Sequence, residues 1–196
     1  SDVALTNLTL FFYSLPTFWL GLVLLLLFGQ WLHWLPVGGV TDPALHEALP
    51  LAGRVLDRLR HLALPALTLG LVGAGGTARF QRAALLEALG QDYVRTAQAK
   101  GLTGRAVLLR HALPDALLPV ISLLGLALPF LLTGAVLVET VFAWPGLGKL
   151  AADAILARDY PLVLGTVLLA SLAVVAGSLL ADVLTAVADP RIRLSP

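Results

Sequence analysis

Long apolar segments separated by shorter polar ones dominate the pattern of this chain. Four of them, at about residues 8–29, 62–83, 113–138 and 161–188, are long enough as helices to cross a hydrocarbon core roughly 30 Å thick. Lipid offers the backbone no hydrogen-bond partners, so a segment that crosses it alone must be helical. The pattern therefore predicts an all-α fold, a polytopic transmembrane helical bundle with four spans in one domain covering residues 1–196.

Composition places the chain in the same class. Hydrophobic residues make up 58% of it and charged residues 13%, and the mean hydropathy of +0.89 is far outside the range of soluble domains. The sequence contains no cysteine, which excludes disulfides and thiolate metal sites, and its histidines lack metal-ligand spacing. A net charge of +1 offers no case for nucleic acid. We expect membrane lipid around the protein, no metal site and no nucleic-acid partner.

Prolines, small residues and one carboxylate mark positions where a span bends, packs closely or faces a pathway. Pro16 is expected to kink the first span and Pro129 to bend the third. Gly73 belongs to a run of small residues, which lets membrane helices approach one another. Gly73, Pro129 and Glu139 are therefore candidates for a transport pathway or gate. Close helix packing accounts for Gly73 equally well, and an anchor at the membrane interface is the alternative for Glu139.

Two segments beside the spans are expected to form short helices. Residues 54–61 should form a short polar helix before the second span. Between the third and fourth spans, Trp144, Pro145 and Gly146 form a turn signal, and the apolar spacing over Leu147–Ala157 predicts an amphipathic helix. We expect this second segment to be a half-buried hairpin at the outer face.

The polar segment 91–111 combines a helical period with a positive bias. Asp92 is a candidate N-cap for a short helix, and Gly101 is placed to end it in the left-handed conformation. Leu102 would then fold back toward Ala97, as in a Schellman-type stop. A helix of about eight residues is marginal alone, because nucleation costs more than so few hydrogen bonds return. We therefore expect this helix to dock on a partner.

The faces of this short helix indicate how it would dock. Tyr93 is the one large side chain on an otherwise small apolar edge formed by Ala97 and Ala99, which suits a helix lying in a partner's groove. Arg95 and Lys100 keep the other faces in water. The plainer interpretation is a basic, solvated loop without a partner.

Basic residues are unequally divided between the two sides of the predicted bundle. Counting along the chain gives eight on the side of the 91–111 loop and five on the other. The richer side is assigned to the cytoplasm, together with both chain ends. The eight are Arg79, Arg82, Arg95, Lys100, Arg105, Arg110, Arg191 and Arg193, and the five are Arg54, Arg58, Arg60, Lys149 and Arg158.

The spacing of the 91–111 loop resembles that of a known family. Gly101, followed after nine residues by His111-Ala112-Leu113-Pro114, matches the "EAA…G…I-x-L-P" loop of ATP-binding-cassette importer permeases. The segments DYVRTAQAKGL and LRHALPDALLP are similar to the dipeptide/oligopeptide/nickel branch. The block ETVFAWPGLG at 139–148, with RDYP at 158–161 and DPRIR at 189–193, resembles the first of that branch's two permeases. Arg95-Thr96-Ala97 stands in place of Glu-Ala-Ala, and His111 in place of Ile.

The resemblance implies a fold and a role. Permeases of this type usually have six spans, so we expect this chain to be a fragment that lacks two N-terminal spans. The helix within 92–104 would be the coupling helix, held in a cleft of a cytoplasmic ATPase. Implied partners are a second permease that completes a heterodimeric pore, two ATP-binding-cassette ATPases and an extracytoplasmic substrate-binding protein. The implied coupling residues are Asp92, Tyr93, Val94, Arg95, Thr96, Ala97, Ala99, Lys100, Gly101 and Leu102.

The resemblance also implies a cargo and a location. Peptides or a related small solute would cross the bacterial cytoplasmic (inner) membrane through a multi-pass protein with a cytoplasmic C-terminus. The sequence has no GxxxxGK[ST] motif and no catalytic constellation. We expect a transport subunit that is not itself an enzyme and binds no cofactor, with ATP and Mg on the partner subunits. The alternative, an ion-gradient-driven secondary transporter, would be expected to have ionisable residues in mid-span or inverted repeats with broken helices.

Overall fold

The computed structural model describes residues 14–133 and 135–188, and every regular element in these ranges is a helix. The all-α prediction is confirmed. The helices are α1 (Thr17–Leu24), continued by a π-helical segment Leu25–Trp31; a 3₁₀ turn His46–Ala48; α2 (Leu51–Leu89); α3 (Asp92–Ala99); α4 (Gly104–Val107), continued by a π turn Leu108–Ala112; α5 (Leu113–Thr133); α6 (Val136–Val141); α7 (Leu147–Ala157); and α8 (Tyr160–Ala188).

Two of these helices have the length and composition to cross a membrane. They are Leu51–Leu89, with 39 residues, and Tyr160–Val187, with 28 residues. The apolar run Thr17–Trp31 is shorter. Residues 8–13 of the first predicted span and the segment 189–193 lie outside the described residues. The count of four spans therefore stays a prediction.

The second span and the polar helix before it form one helix, and the prediction of two was wrong. Helix α2 runs without interruption from Leu51 to Leu89, with Pro65 inside it. A proline removes one backbone donor, but a membrane helix can keep its course when neighbouring groups satisfy the freed carbonyl. The change from charged to apolar residues at about residue 61 therefore lies inside one continuous helix and does not mark a helix end.

Pro16 is the N-cap of the described helix α1 and does not lie in the interior of that helix. Its backbone is extended, with φ −58° and ψ 128°, and Thr17 is the first residue of α1. The carbonyl of Pro16 accepts a hydrogen bond from Leu20 N at 3.1 Å. Proline disfavours the helical conformation in the residue before it, which here is Leu15, so a helix starts after it more readily than it passes through.

Chain contacts divide the protein into two compact units, residues 1–75 with 131–171 and residues 76–130 with 172–196. The core of the first unit joins α1, α2 and α6. It is formed by Leu20, Leu24, Leu64, Val138 and Phe142, all of which are buried. Gly21 allows α1 to approach α6 closely, since a Cβ there would lie 3.3 Å from the Phe142 ring.

The segment before α2 is bound to that helix by a carboxylate. Asp57 accepts hydrogen bonds from the backbone N–H of Asp42 at 3.1 Å and from Nδ1 of His46 at 2.6 Å. Nδ1 of His61, one turn along α2, lies 3.1 Å from the other carboxylate oxygen. The side chain of Asp42 in turn accepts from the backbone N–H groups of Ala44 and Leu45, which starts the 3₁₀ turn. The contacts from Asp42 and His46 hold the segment 42–48 on α2, and His61 contacts the same carboxylate from within that helix.

Candidate coupling site

The start of α3 differs from the prediction. Gln91 is the N-cap, with an extended backbone (φ −74°, ψ 152°) and no side-chain cap, and Asp92 is the first helical residue. The prediction of Asp92 as cap was wrong, because an acidic side chain is equally well placed in the first turn, where it faces the positive end of the helix dipole. Arg95 Nη1 lies 3.5 Å from Asp92 Oδ1, with both side chains exposed, so this pair contributes little to stability.

The predicted stop is present at the end of α3. Gly101 has φ +80°, its N–H donates to the Gln98 carbonyl at 2.9 Å, and the N–H of Leu102 donates to the Ala97 carbonyl at 3.4 Å. These two bonds satisfy carbonyls that the helix leaves open, which is the Schellman arrangement. The chain then turns at Thr103, whose hydroxyl accepts from Ala106 N and caps α4.

Helix α3 packs on its own chain through its small residues. Val94 and Ala97 are 1% and 6% exposed, and they belong to a buried cluster within the second unit. The turn at Gly101 brings α4 and the π turn beneath this face, so Ala97 packs mainly against its own chain. Ala97 also lines the cavity described below, and its contact with a partner stays a prediction. The other members of the cluster are Ala88 of α2, Val107 of α4, Ala112 of the π turn and Ala116 of α5, with Ala84 and Leu85 packed against it.

The remaining candidate coupling residues lie on the outer side of α3. Tyr93 and Leu102 are 38% and 40% exposed, and Thr96, Ala99 and Lys100 are exposed as well. A cavity of about 380 Å³ opens on this side. Its lining comprises Tyr93, Thr96, Ala97, Lys100, Leu102 and His111.

His111 is a member of this cavity that the sequence reasoning did not assign to the coupling site. In the sequence it stands out only as a motif position, ten residues beyond Gly101. The Schellman stop and the Thr103 cap reverse the chain, so the π turn that contains His111 returns beside α3. The paired turn signals at Gly101 and Thr103 could have indicated this return.

The three pathway candidates are separate features of the described structure. Gly73 lies within α2, where a Cβ would meet nothing within 4 Å. Pro129 lies within α5, and its side chain falls outside the described part. Glu139, in α6, is buried with 8% exposure, and its Oε2 accepts a hydrogen bond from Lys149 N at 2.6 Å. Glu139 therefore caps α7, while the pathway role of all three residues stays a prediction.

The described part of the chain brings no set of metal ligands together. Within residues 14–133 and 135–188, no group of three or more His, Cys, Asp or Glu side chains could hold a metal ion. The coupling-site cavity has two basic lining residues and no acidic one.

A search against known protein families gives a match over nearly the whole chain. The description of the matching family is "binding-protein-dependent transport system inner membrane component", and the match covers residues 1–194. The chain belongs to this family. The family resemblance read from the 91–111 loop is thereby confirmed.

Curated relatives within this permease family are named as peptide permeases. An oligopeptide transport system permease protein of Bacillus subtilis is 42% identical over 191 residues, which are 97% of this chain and 58% of that protein. A di/tripeptide transport system permease protein of Pseudomonas aeruginosa is 44% identical over 205 residues, 98% of this chain and 61% of the relative. A dipeptide transport system permease protein of Escherichia coli is 43% identical, with the same two coverages. The chain thus spans about 60% of the length of these relatives.

Proposed function

We propose that this chain is part of the membrane-spanning permease subunit of an ATP-driven importer that moves peptides or a related small solute across the cytoplasmic membrane. The family match and the names of the peptide-permease relatives support this function. A second permease completes a heterodimeric pore, and an extracytoplasmic binding protein delivers the cargo. ATP and Mg bind to two cytoplasmic ATPases, which perform the hydrolysis. The C-terminus lies in the cytoplasm.

Helix α3 is the element that couples the pore to the ATPases. The supporting observation is that Val94 and Ala97 belong to one buried cluster with Ala88 near the end of α2 and Ala116 near the start of α5. A densely packed cluster transmits displacement instead of absorbing it. A partner that moves α3 would therefore move the ends of two long helices together.

The energetic role of α3 follows from the same packing. An ATPase that binds α3 more tightly in one arrangement of the pore than in another favours the first arrangement. The difference between the two binding affinities sets how far the equilibrium between the arrangements shifts. The exposed side chains of α3, with Tyr93 as the largest apolar one, provide the surface for this contact.

The experiment is a binding assay with the full-length parent, its partner permease and the ATPase encoded beside it. Tyr93→Ala and Gly101→Val should each lose specific ATPase retention while membrane insertion stays intact. Gly104→Ala is the matched control, because Gly104 begins α4 with open space around it and an ordinary φ. Equal retention in all variants, or uptake that needs an ion gradient and no ATPase, would contradict the proposal.

A further inference from the structure

Two basic side chains in the cavity beside α3 have no acidic partner among the residues that the structure describes. Lys100 and His111 both line it. Across residues 14–133 and 135–188, neither side chain makes an ion pair or a hydrogen bond. Arg95, on the same helix, differs, because its guanidinium lies beside Asp92. The cavity therefore contains unused hydrogen-bond donors.

The chemistry of these donors selects an anionic group. A lysine ammonium has three donors and no acceptor, and an imidazole adds one donor when neutral and two when charged. The hydroxyl of Thr96 already donates to the Asp92 carbonyl at 2.9 Å, so its remaining capacity is as an acceptor. A carboxylate, which accepts through both oxygens, matches Lys100 and His111 together.

The rest of the cavity is largely apolar. Tyr93, Ala97 and Leu102 form its other walls, and Tyr93 and Leu102 are partly exposed at its edge. Its volume of about 380 Å³ lies at the lower end of the roughly 300–1,000 Å³ of ligand pockets. An apolar wall beside a cationic group suits a side chain that has a hydrocarbon stem and a charged end.

We infer that this cavity receives an acidic side chain of the partner ATPase, with its carboxylate on Lys100 and His111 and its stem against Tyr93 and Leu102. The inference rests on the proposed function, because it names the partner group that α3 engages. An anionic lipid headgroup offers the same charge, and the experiment below distinguishes it from a protein side chain. Burial at the interface strengthens the pair, since water no longer screens the two charges.

The test compares two variants that each lower the charge of the last turn of α3 by one. Lys100→Gln removes the cavity cation, whereas Gln98→Glu adds a negative charge on an exposed residue that does not line the cavity. ATPase binding is measured with the full-length permease pair in lipid nanodiscs. Lys100→Gln should weaken binding roughly tenfold or more, because it leaves the buried carboxylate with His111 as its one basic partner in the cavity. Gln98→Glu should bind nearly as well as wild type.

A charge exchange identifies the partner residue. Lys100→Glu should bind more weakly than Lys100→Gln, and one Glu→Lys or Asp→Lys change among the acidic residues of the ATPase cleft should restore binding to it. Equal binding by Lys100→Gln and Gln98→Glu, or no restoring change in the ATPase, would overturn the inference. So would a Lys100→Gln effect that is found only in nanodiscs containing anionic lipid, since the occupant would then be a headgroup.

The outcome also separates this inference from the proposed function. If Gly101→Val abolishes ATPase binding while Lys100→Gln and Lys100→Glu leave it unchanged, α3 couples to the ATPase but the cavity does not receive a carboxylate. If wild type itself fails to retain the ATPase, the proposed function falls, and this inference falls with it.

Discussion

The carboxylate of Glu139 accepts a hydrogen bond from the backbone N–H of Lys149, with 2.6 Å between Oε2 and N. Lys149 is the third residue of α7, and the first N–H groups of a helix have no partner within the helix itself. Glu139, in α6, thus supplies from ten residues away the cap that a side chain at the N-cap position usually provides. Gly146, which occupies that position, has no side chain to do so.

Removing the carboxylate should destabilise α7. We expect Glu139→Ala to lower the free energy of unfolding of the full-length permease by about 1–3 kcal/mol, because a partly buried donor, the Lys149 N–H, loses its acceptor. Glu139→Gln should cost less, since an amide oxygen still accepts. Thermal unfolding in detergent measures the loss, and hydrogen exchange should show faster exchange at Gly148 and Lys149.

An exposed ion pair on the same helix provides the control for this prediction. Lys149 Nζ lies 2.7 Å from Asp153 Oδ2, with exposed fractions of 37% and 59%. Asp153→Ala should change stability by about 1 kcal/mol or less. A loss in Asp153→Ala as large as that in Glu139→Ala would contradict the capping role.

The same cap favours glycine at residue 146. A Cβ built on Gly146 would overlap the carboxyl group of Glu139. The φ of −102° suits any residue, so the restriction is one of space and not of backbone conformation. Gly146→Ala should destabilise the protein by about 1–3 kcal/mol, as overpacking does in other cores, and thermal unfolding measures it.

Two further variants test that explanation. Gly165→Ala, in α8, should be neutral or slightly stabilising, because a Cβ there meets nothing within 4 Å and alanine favours a helix. In a double variant with Glu139→Ala, Gly146→Ala should cost less than it does alone, because the overlapping carboxyl group is gone. Additive losses would show that the two residues do not interact.

Local signals predicted parts of the fold well. The turn at Trp144-Pro145-Gly146 and the apolar spacing after it predicted α7 with the bounds that the structure has, Leu147–Ala157. The glycine at 101 predicted the end of α3, because few other residues adopt a positive φ. In both segments the information lies within a few residues of the feature.

Features that depend on the return of the chain could not be predicted in this way. The role of Glu139 requires α7 to turn back onto α6, and the inward face of Ala97 requires α4 and the π turn to pack beneath α3. His111 joins the cavity for the same reason. The loop motif thus located the candidate site, but which of its side chains face outward depended on packing.

The carboxylate of Asp57 should make the segment 42–48 sensitive to acid. Burial acts to raise the pKa of this group, but the N–H of Asp42, the imidazole of His46 and the charge of His61 outweigh it and hold the pKa below its usual value. A lowered pKa in the folded state means that the ionised form stabilises the fold above the unfolded pKa, and that this contribution is lost as the pH falls through the folded pKa. Protection of the Asp42 amide should therefore persist from pH 7 to about pH 4 and disappear below it.

Hydrogen exchange at a series of pH values, corrected for the intrinsic exchange rate, measures that protection. Asp57→Asn should reduce protection of the Asp42 amide near neutral pH, because an amide oxygen accepts a hydrogen bond less strongly than a carboxylate. It should also abolish the loss of protection in acid, because an amide side chain does not ionise. Asp153→Asn, at an exposed carboxylate of α7, should leave the profile unchanged. A profile in Asp57→Asn that matches wild type would show that another group controls this segment.

Two substitutions at Gly101 can distinguish the effect of backbone conformation from the effect of side-chain size. The residue has φ +80° and open space around it, so a side chain there would be strained by the backbone and not by a clash. Asparagine visits the left-handed region readily, whereas a β-branched residue does so at a cost of roughly 1–2 kcal/mol or more. Gly101→Asn should therefore retain most ATP-dependent uptake, and Gly101→Val should lose it, although the two side chains are similar in size. The measurement is uptake by proteoliposomes that contain the full-length permease pair and its ATPases, with ATP hydrolysis followed in parallel. Equal loss in both variants would contradict this explanation. It would mean that a side chain at residue 101 blocks the contact with the ATPase by its volume, whatever its backbone conformation, because steric exclusion makes no distinction between side chains of the same volume.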